Sequence, residues 1–279
     1  ARTFIAAAGP LRPHNAVRVQ TNRGRSKTIA IAAHRRPDVT SITVRIQPPD
    51  YTARPTTTGP LAQGPISAIA GSTVRLHVEA NQPVVGGRLD LGRETVPVEP
   101  IAERAGAVEF TADKSATAIL TVTSRTGVES EPLRLALLVR PDKPPTVRMA
   151  PDEPALLVRP DAVIPFAIEA GDDLGLAGVR LMWRRSSEPT AVSSRRWTPA
   201  QQHRSAAWPA AFNVASTEAA PGERIQLWAE ATDHRPGRPP VATPGIELRV
   251  VTEAEHDRAA TTARQDEALE ALAMALRKA

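Results

Sequence analysis

Two stretches of the chain alternate apolar with other residues at a period of two. Residues 73–80 read Thr-Val-Arg-Leu-His-Val-Glu-Ala, and residues 163–170 read Val-Ile-Pro-Phe-Ala-Ile-Glu-Ala. Successive strand side chains point to opposite faces, so this alternation predicts a half-buried β-strand in each place. The surroundings match as well. Arg36-Pro37-Asp38 introduces an apolar run over 39–46, and Arg140-Pro141-Asp142 is followed by Val147-Arg148-Met149. Downstream, 116–123 and 133–139 read as strands joined by a turn at Arg125-Thr126-Gly127. Residues 224–231 and 246–251 repeat them, joined by a longer loop over 232–245. A supersecondary pattern that recurs in this way is an internal repeat. The first copy carries an extra loop at 48–65, whose Pro48-Pro49, Pro55, Gly59-Pro60 and Gly64-Pro65 exclude regular helix.

Between these landmarks, further short strands are predicted at 84–91, 95–98, 107–111, 179–183 and 211–214. Two copies of about seven short strands, in roughly 100 residues each, predict an all-β chain of tandem immunoglobulin-like or fibronectin-like β-sandwiches. The Cys…Trp…Cys core of antibody domains is absent, and only the last copy has a Trp near its third strand, Trp183. The domains are placed at 38–140 and 141–251, with stiff Pro-rich junctions at Arg36-Pro37 and at 140–145. The opening segments 2–8 and 28–33 resemble the last two strands of a copy. Residues 1–37 are therefore expected to be the end of a truncated immunoglobulin-like domain, the alternative being a small hairpin packed on the next domain.

At Thr252 the periodicity changes. Thr252-Glu253-Ala254-Glu255 places an N-cap before acids that favour the positive end of a helix dipole. Residues 253–279 contain no Pro or Gly, and Gln265, Leu269, Leu272 and Leu276 recur at i, i+4, i+7 and i+11. That spacing predicts a C-terminal helix with a narrow coiled-coil-like seam. It is read either as a stalk or partner helix, expected to continue in the parent protein, or as a helix packed on its own sandwich.

Composition narrows the setting. The chain has 279 residues, 41% hydrophobic, and nine aromatics, so its cores must be built from Val, Ile, Leu and Ala. No apolar run approaches the ~18 residues of a membrane span. With no Cys there is no disulfide frame, thiolate nucleophile or Cys-type zinc site. The net charge of +5 is uneven: residues 1–37 hold eight bases and no acid, leaving 27 bases against 30 acids elsewhere. That basic stripe holds one aromatic, Phe4, and no nucleic-acid-binding motif, so nucleic acid is not expected as a partner.

Candidate chemistry is sparse. No Gly-x-Ser-x-Gly elbow, Walker loop or His-Glu-x-x-His occurs, so neither catalytic residues nor a cofactor are nominated. Asp172, Asp173 and Asp233 stand at strand ends that would approach one pole of a sandwich. They are weak Ca²⁺ candidates, because Ca²⁺ takes six to eight oxygens. The plainer reading makes Asp172, Asp173 and Gly175 a turn capped by side chains, and no tightly bound ion is expected. The most distinctive surface candidate spans 183–208, where Trp183, Trp197 and Trp208 interleave with Arg184, Arg185, Arg195, Arg196 and Arg204. Arg over an indole face can grip an anionic glycan or an acidic protein partner. The plainer reading buries the Trp and leaves the Arg solvated.

An ordered set of motifs carries a resemblance. Pro48-Pro49-Asp50-Tyr51-Thr52, Gly71-Ser72-Thr73-Val74, Ala170-Gly171-Asp172-Asp173-Leu174-Gly175-Leu176, Pro221-Gly222-Glu223-Arg224-Ile225 and Ala231-Thr232-Asp233-His234 follow in turn. Over roughly residues 37–260 the chain resembles large bacterial envelope proteins of uncharacterised function. Those have N-terminal membrane helices, tandem immunoglobulin-like extracytoplasmic domains and a long helical C-terminal region. The resemblance implies a periplasmic or other extracytoplasmic location, a parent anchored in the membrane outside this segment, and a non-catalytic scaffold role. Partners would be proteins or a second copy, met through Leu269, Leu272 and Leu276, with an anionic polymer as the rival ligand.

Overall fold

The computed structural model describes residues 14–21, 24–61, 64–199 and 203–278. Strands dominate, and the chain divides into two compact units, residues 1–49 with 54–141 and residues 50–53 with 142–279. The segment 2–8 lies outside the described residues. After it, β1 (His14–Val17) pairs antiparallel with β4 (Ile29–Ala32), and the short β2 (Gln20–Thr21) with β3 (Gly24–Arg25), as one hairpin.

In the first unit the chain runs through β5 (Val39–Gln47), β6 (Thr57–Pro60), β7 (Ile66–Ile69), β8 (Ser72–Ala80) and β9 (Val84–Asp90). It continues through β10 (Thr95–Ala102), β11 (Ala105–Ala112), β12 (Ala116–Ser124) and β13 (Leu133–Arg140). The strand order is β6-β5-β8-β11-β10-β9-β12-β13-β7. One strand joins the two faces: Thr95–Val98 of β10 pair with β9, and Glu99–Ala102 pair with β11 across a register shift. Pro97 lies opposite Arg88 and Pro100 opposite Gly106 in this switching strand, on either side of its change of partner and next to the register shift after Pro100, an interruption of the kind at which a sheet accepts Pro.

The second unit runs through β14 (Thr146–Ala150), β15 (Ala155–Val158), β16 (Val163–Gly171), β17 (Leu176–Arg185) and β18 (Ser193–Trp197). It closes with β19 (Ser205–Asn213), β20 (Arg224–Asp233), β21 (Val241–Ala242) and β22 (Ile246–Val250). One sheet has the order β14-β16-β19 and the other β15-β22-β20-β17-β18, with β21 on β20. Both units repeat one plan. A first strand pairs antiparallel with the second long strand, then a short continuation crosses to pair parallel with the last strand: β7 on β13, and β15 on β22. This is an immunoglobulin-like strand order. The segments matched in the sequence, β8 with β16, β12 with β20 and β13 with β22, hold equivalent places.

Burial follows the alternation. Val74, Leu76, Val78 and Ala80 are buried in β8, whereas Arg75 and Glu79 are exposed. Phe166, Ile168 and Ala170 do the same in β16. The first core joins Leu76 and Phe110 of one sheet to Leu89, Leu120 and Leu137 of the other. The second joins Phe166, Ile168 and Phe212 to Leu181, Ile225, Leu227 and Leu248. Each such side chain, fully withdrawn from water, contributes about 1.5–3 kcal/mol.

Two expectations need correction. Residues 48–65 are not all loop: a single 3₁₀ turn forms at Asp50–Thr52, and β6 pairs with β5. The strands β7, β15 and β18 were also not legible, because four or five residues with little alternation give no period to read.

The helix α1 (Glu253–Lys278) begins where its cap predicts. The Thr252 amide and hydroxyl donate to Glu255 Oε2 at 2.9 and 2.8 Å, and the Glu255 amide donates to Thr252 Oγ1 at 3.3 Å, a reciprocal capping box. Those bonds from Thr252, backbone first, hold the Glu255 carboxyl below its ordinary range. The helix passes through 269, 272 and 276, but the side chains of Leu269, Leu272 and Leu276 lie outside the described residues.

Because each core is closed by its own two sheets, truncations should act unit by unit. Leu120→Ala and Leu227→Ala, both fully buried, are each expected to cost about 2–5 kcal/mol. In urea unfolding, each should shift the midpoint of one transition only; a shift of both together by either substitution would contradict separate cores.

Candidate functional site

Two groups of polar residues in the second unit stand out, one on a sheet face and one at a strand-end pole. The face follows from strand alternation. In β20, Ile225, Leu227, Ala229 and Ala231 are buried, so Arg224, Gln226, Trp228 and Glu230 share the opposite, outer face. Register carries the pattern sideways: Arg180 pairs with Glu230 and with Arg196, Met182 with Trp228, and Arg184 with Gln226. The outer face thus presents Arg180, Arg184, Arg196 and Arg224 around Trp228. The Arg184 guanidinium carbon lies 5.8 Å from the Trp228 ring centroid, within cation–π range. Arg184 also donates through Nε to Gln226 Oε1 at 2.8 Å, and the Trp228 indole N–H donates to Glu230 Oε1 at 2.9 Å. Gly178 leaves room for Arg196, whose Nε would lie 3.3 Å from a Cβ at that position. Arg184, Arg185, Arg224 and Glu247 line a groove of about 520 Å³ beside this face.

The tryptophans nominated from the sequence sit elsewhere. Trp183 is opposite Leu227 and packs edge-on against Phe212, with centroids 5.4 Å apart and planes at 71°. Trp197 and Trp208 pack beside the same core, and Arg195 stacks over Trp197 at 5.2 Å. Arg185 pairs with Glu188. Sequence reading passed over Trp228, although its signal was present: in 224–231 it is the one apolar residue on the polar phase of the alternation.

The pole is built by three connections. Asp172 opens the turn between β16 and β17, where its Oδ2 accepts from the amides of Leu174 at 2.8 Å and Gly175 at 2.6 Å. Gly175 has φ +133°, which a side chain would rarely tolerate. Asp233 ends β20, Arg238 lies in the following loop, and Asp142 leads into β14. The Arg238 guanidinium donates to Asp233 Oδ2 at 2.5 Å, Asp142 Oδ1 at 3.3 Å, the Lys143 carbonyl at 2.5 Å and the Asp142 carbonyl at 2.9 Å. These are buried charges, with side-chain exposures of 2% for Asp142, 5% for Asp233 and 13% for Arg238. Burial opposes the Arg238 charge, but Asp233 and Asp142 more than offset it and raise its pKa. Tyr51 donates to Asp142 Oδ2 at 3.0 Å, and burial with that carboxylate raises the phenol's pKa.

The capped turn foreseen for Asp172 is therefore formed, and Asp172 and Asp233 line one narrow cleft with Tyr51, Asp142 and Arg235. Asp173 is exposed and accepts from the Lys143 amide at 3.3 Å. Asp142, Arg238 and Tyr51 were missed as site residues. Asp142 had appeared only as part of the repeated Arg-Pro-Asp, and nothing local in the 234–240 loop marks Arg238 as a buried partner. Removing it would strand two buried carboxylates. Arg238→Ala is expected to destabilise the second unit by roughly 3–5 kcal/mol, read by thermal unfolding; a loss below about 1 kcal/mol, as for an exposed pair, would refute a buried role.

Among the described residues no helix is long and apolar enough to cross a membrane. The sequence matches no protein-family model and no curated protein. Solved structures with some likeness include the fibronectin(III)-like modules of Clostridium thermocellum CbhA, at 14% identity over 68% of this chain and 90% of that one, with a TM-score of 0.25. An ICAM-5 D1–D4 ectodomain fragment shares 15% identity over 76% of this chain and 51% of its own, at 0.29. The first two immunoglobulin domains of DIP-gamma share 9% over 68% and 94%, at 0.28. Overlaps this low carry no argument, and the fold stands on its own strand pairing.

Proposed function

We propose that this chain is a non-catalytic structural segment of a bacterial cell-envelope protein, spacing domains on the extracytoplasmic side and making protein contacts. The observation that carries this reading is the repetition of one sandwich plan in two successive units, each enclosing a core of its own. Such repetition multiplies the surface that one chain offers to partners. The order of motifs from Pro48-Pro49 to Asp233-His234 supports the envelope setting. Association is assigned to α1 through Leu269, Leu272 and Leu276. A helix of this length is only marginally stable alone in water, and a seam of single leucines is narrower than the stripe a packed globular helix buries.

Sedimentation tests this assignment. The chain should associate with rising concentration, and Leu272→Asp should shift it toward monomer with the melting temperature of the sandwiches unchanged. A chain that stays monomeric, with a last sandwich destabilised by the same substitution, would make the helix part of that domain's core.

A second reading, an anionic glycan or acidic protein as ligand, is favoured by Arg184 stacked on Trp228 amid further arginines. Retention on heparin should then fall steeply as salt rises, and Trp228→Ala and Arg184→Ala should each elute earlier. Equal elution of both variants and the parent chain would remove this face from consideration.

A further inference from the structure

The pole of the second sandwich holds more negative charge than its cations answer. Of Asp142, Asp172, Asp173 and Asp233, Arg238 bonds Asp142, Asp233 and backbone carbonyls, the half-exposed Arg235 pairs with Asp142, and His234 lines the same cleft. One carboxylate oxygen from each of Asp142, Asp172 and Asp173 lies within 4.8 Å of the others. A second, independent observation concerns Asp172, which is only 8% exposed. Its Oδ2 is occupied by the turn amides, while its Oδ1 is buried with no hydrogen-bond donor among the described residues. A buried, unanswered carboxylate oxygen costs a large part of its hydration. Burial first, then the charges of Asp233 and Asp173, push the Asp172 pKa up, against the pull of the two amides. Asp172 lines a narrow cleft with Tyr51, Asp142 and Asp233. A Ca²⁺ ion sits about 2.3–2.6 Å from its oxygens, a spacing that carboxylate oxygens within 4.8 Å of one another can meet.

We propose that Asp142, Asp172 and Asp173 form a Ca²⁺ site at this pole. Asp172 Oδ1 and an oxygen of Asp142 supply the buried side, and the exposed Asp173 supplies the open side, where water completes the shell. The donors are carboxylate oxygens, which suit a hard cation. Ca²⁺ accepts irregular geometry more readily than Mg²⁺ does. Arg238 remains with Asp142 and Asp233, and its charge keeps the affinity in the range of extracellular modules, about 10⁻⁴–10⁻³ M.

The test uses the whole chain, stripped of divalent ions, titrated with CaCl₂ by calorimetry and melted with and without it at constant ionic strength. Binding with a dissociation constant of about 0.1–1 mM is expected, with a melting temperature raised by about 5 °C at ~10 mM CaCl₂ and less by MgCl₂. Asp172→Asn should abolish the rise, and the exposed Asp173→Asn, which leaves the buried turn intact, should weaken binding at least several-fold. No heat and no shift beyond that of NaCl would overturn the proposal, as would a shift that survives both substitutions. A chain indifferent to Ca²⁺ yet more stable at pH 5 than at pH 7, with that difference lost in Asp172→Asn, would also overturn it, because Oδ1 would then carry a proton.

Discussion

Each unit depends on the fit between two inner sheet faces made almost wholly of Val, Ile, Leu and Ala. The first core has a single aromatic, Phe110, and the second has Phe166 and Phe212 with Trp183 at its edge. Small branched side chains fill a sandwich only when both faces interdigitate closely, since any void forfeits dispersion contacts and leaves a cavity. Register is therefore tightly held. A slip of one residue in β20 would send Ile225, Leu227 and Ala229 to water and bring Arg224, Gln226 and Glu230 into the core.

The outer faces inherit that constraint. Once β17 and β20 are fixed by their buried residues, Arg180, Arg184, Trp228 and Glu230 must share one solvent-facing surface. The Arg and Trp side chains there are consequences of the same alternation that builds the core. An indole on this face has no core to enter, and it takes a guanidinium above its ring and a carboxylate at its N–H instead. Trp183 shows the opposite outcome one residue out of phase with Met182: its ring meets Phe212.

The pole follows a different logic. Strand ends bring together carboxylates that no local pattern groups, and the structure answers most of them with one buried guanidinium and the amides of a glycine turn. Backbone donors serve one oxygen of Asp172, and among the described residues the other has no donor. Charge that is withdrawn from water and incompletely paired is costly to the folded state.

The sequence by itself determined the long alternating strands and the helix start. Residues 73–80 and 163–170 show a period of two that burial reproduces position by position, and Thr252 with Glu255 marks the first turn of α1 through a bond pattern confined to four residues. The capped turn at Asp172 was legible for the same reason, since its donors are two and three residues away. What only the tertiary structure decided is whatever joins distant segments. The crossing of β10 between faces, the parallel pairing of β7 and β15 with the final strands, and the meeting of Asp142 with Arg238, 96 residues apart, are of this kind. Local periodicity reports which face of a strand is dry but not which strand lies beside it. That choice is made by the closure of a common core.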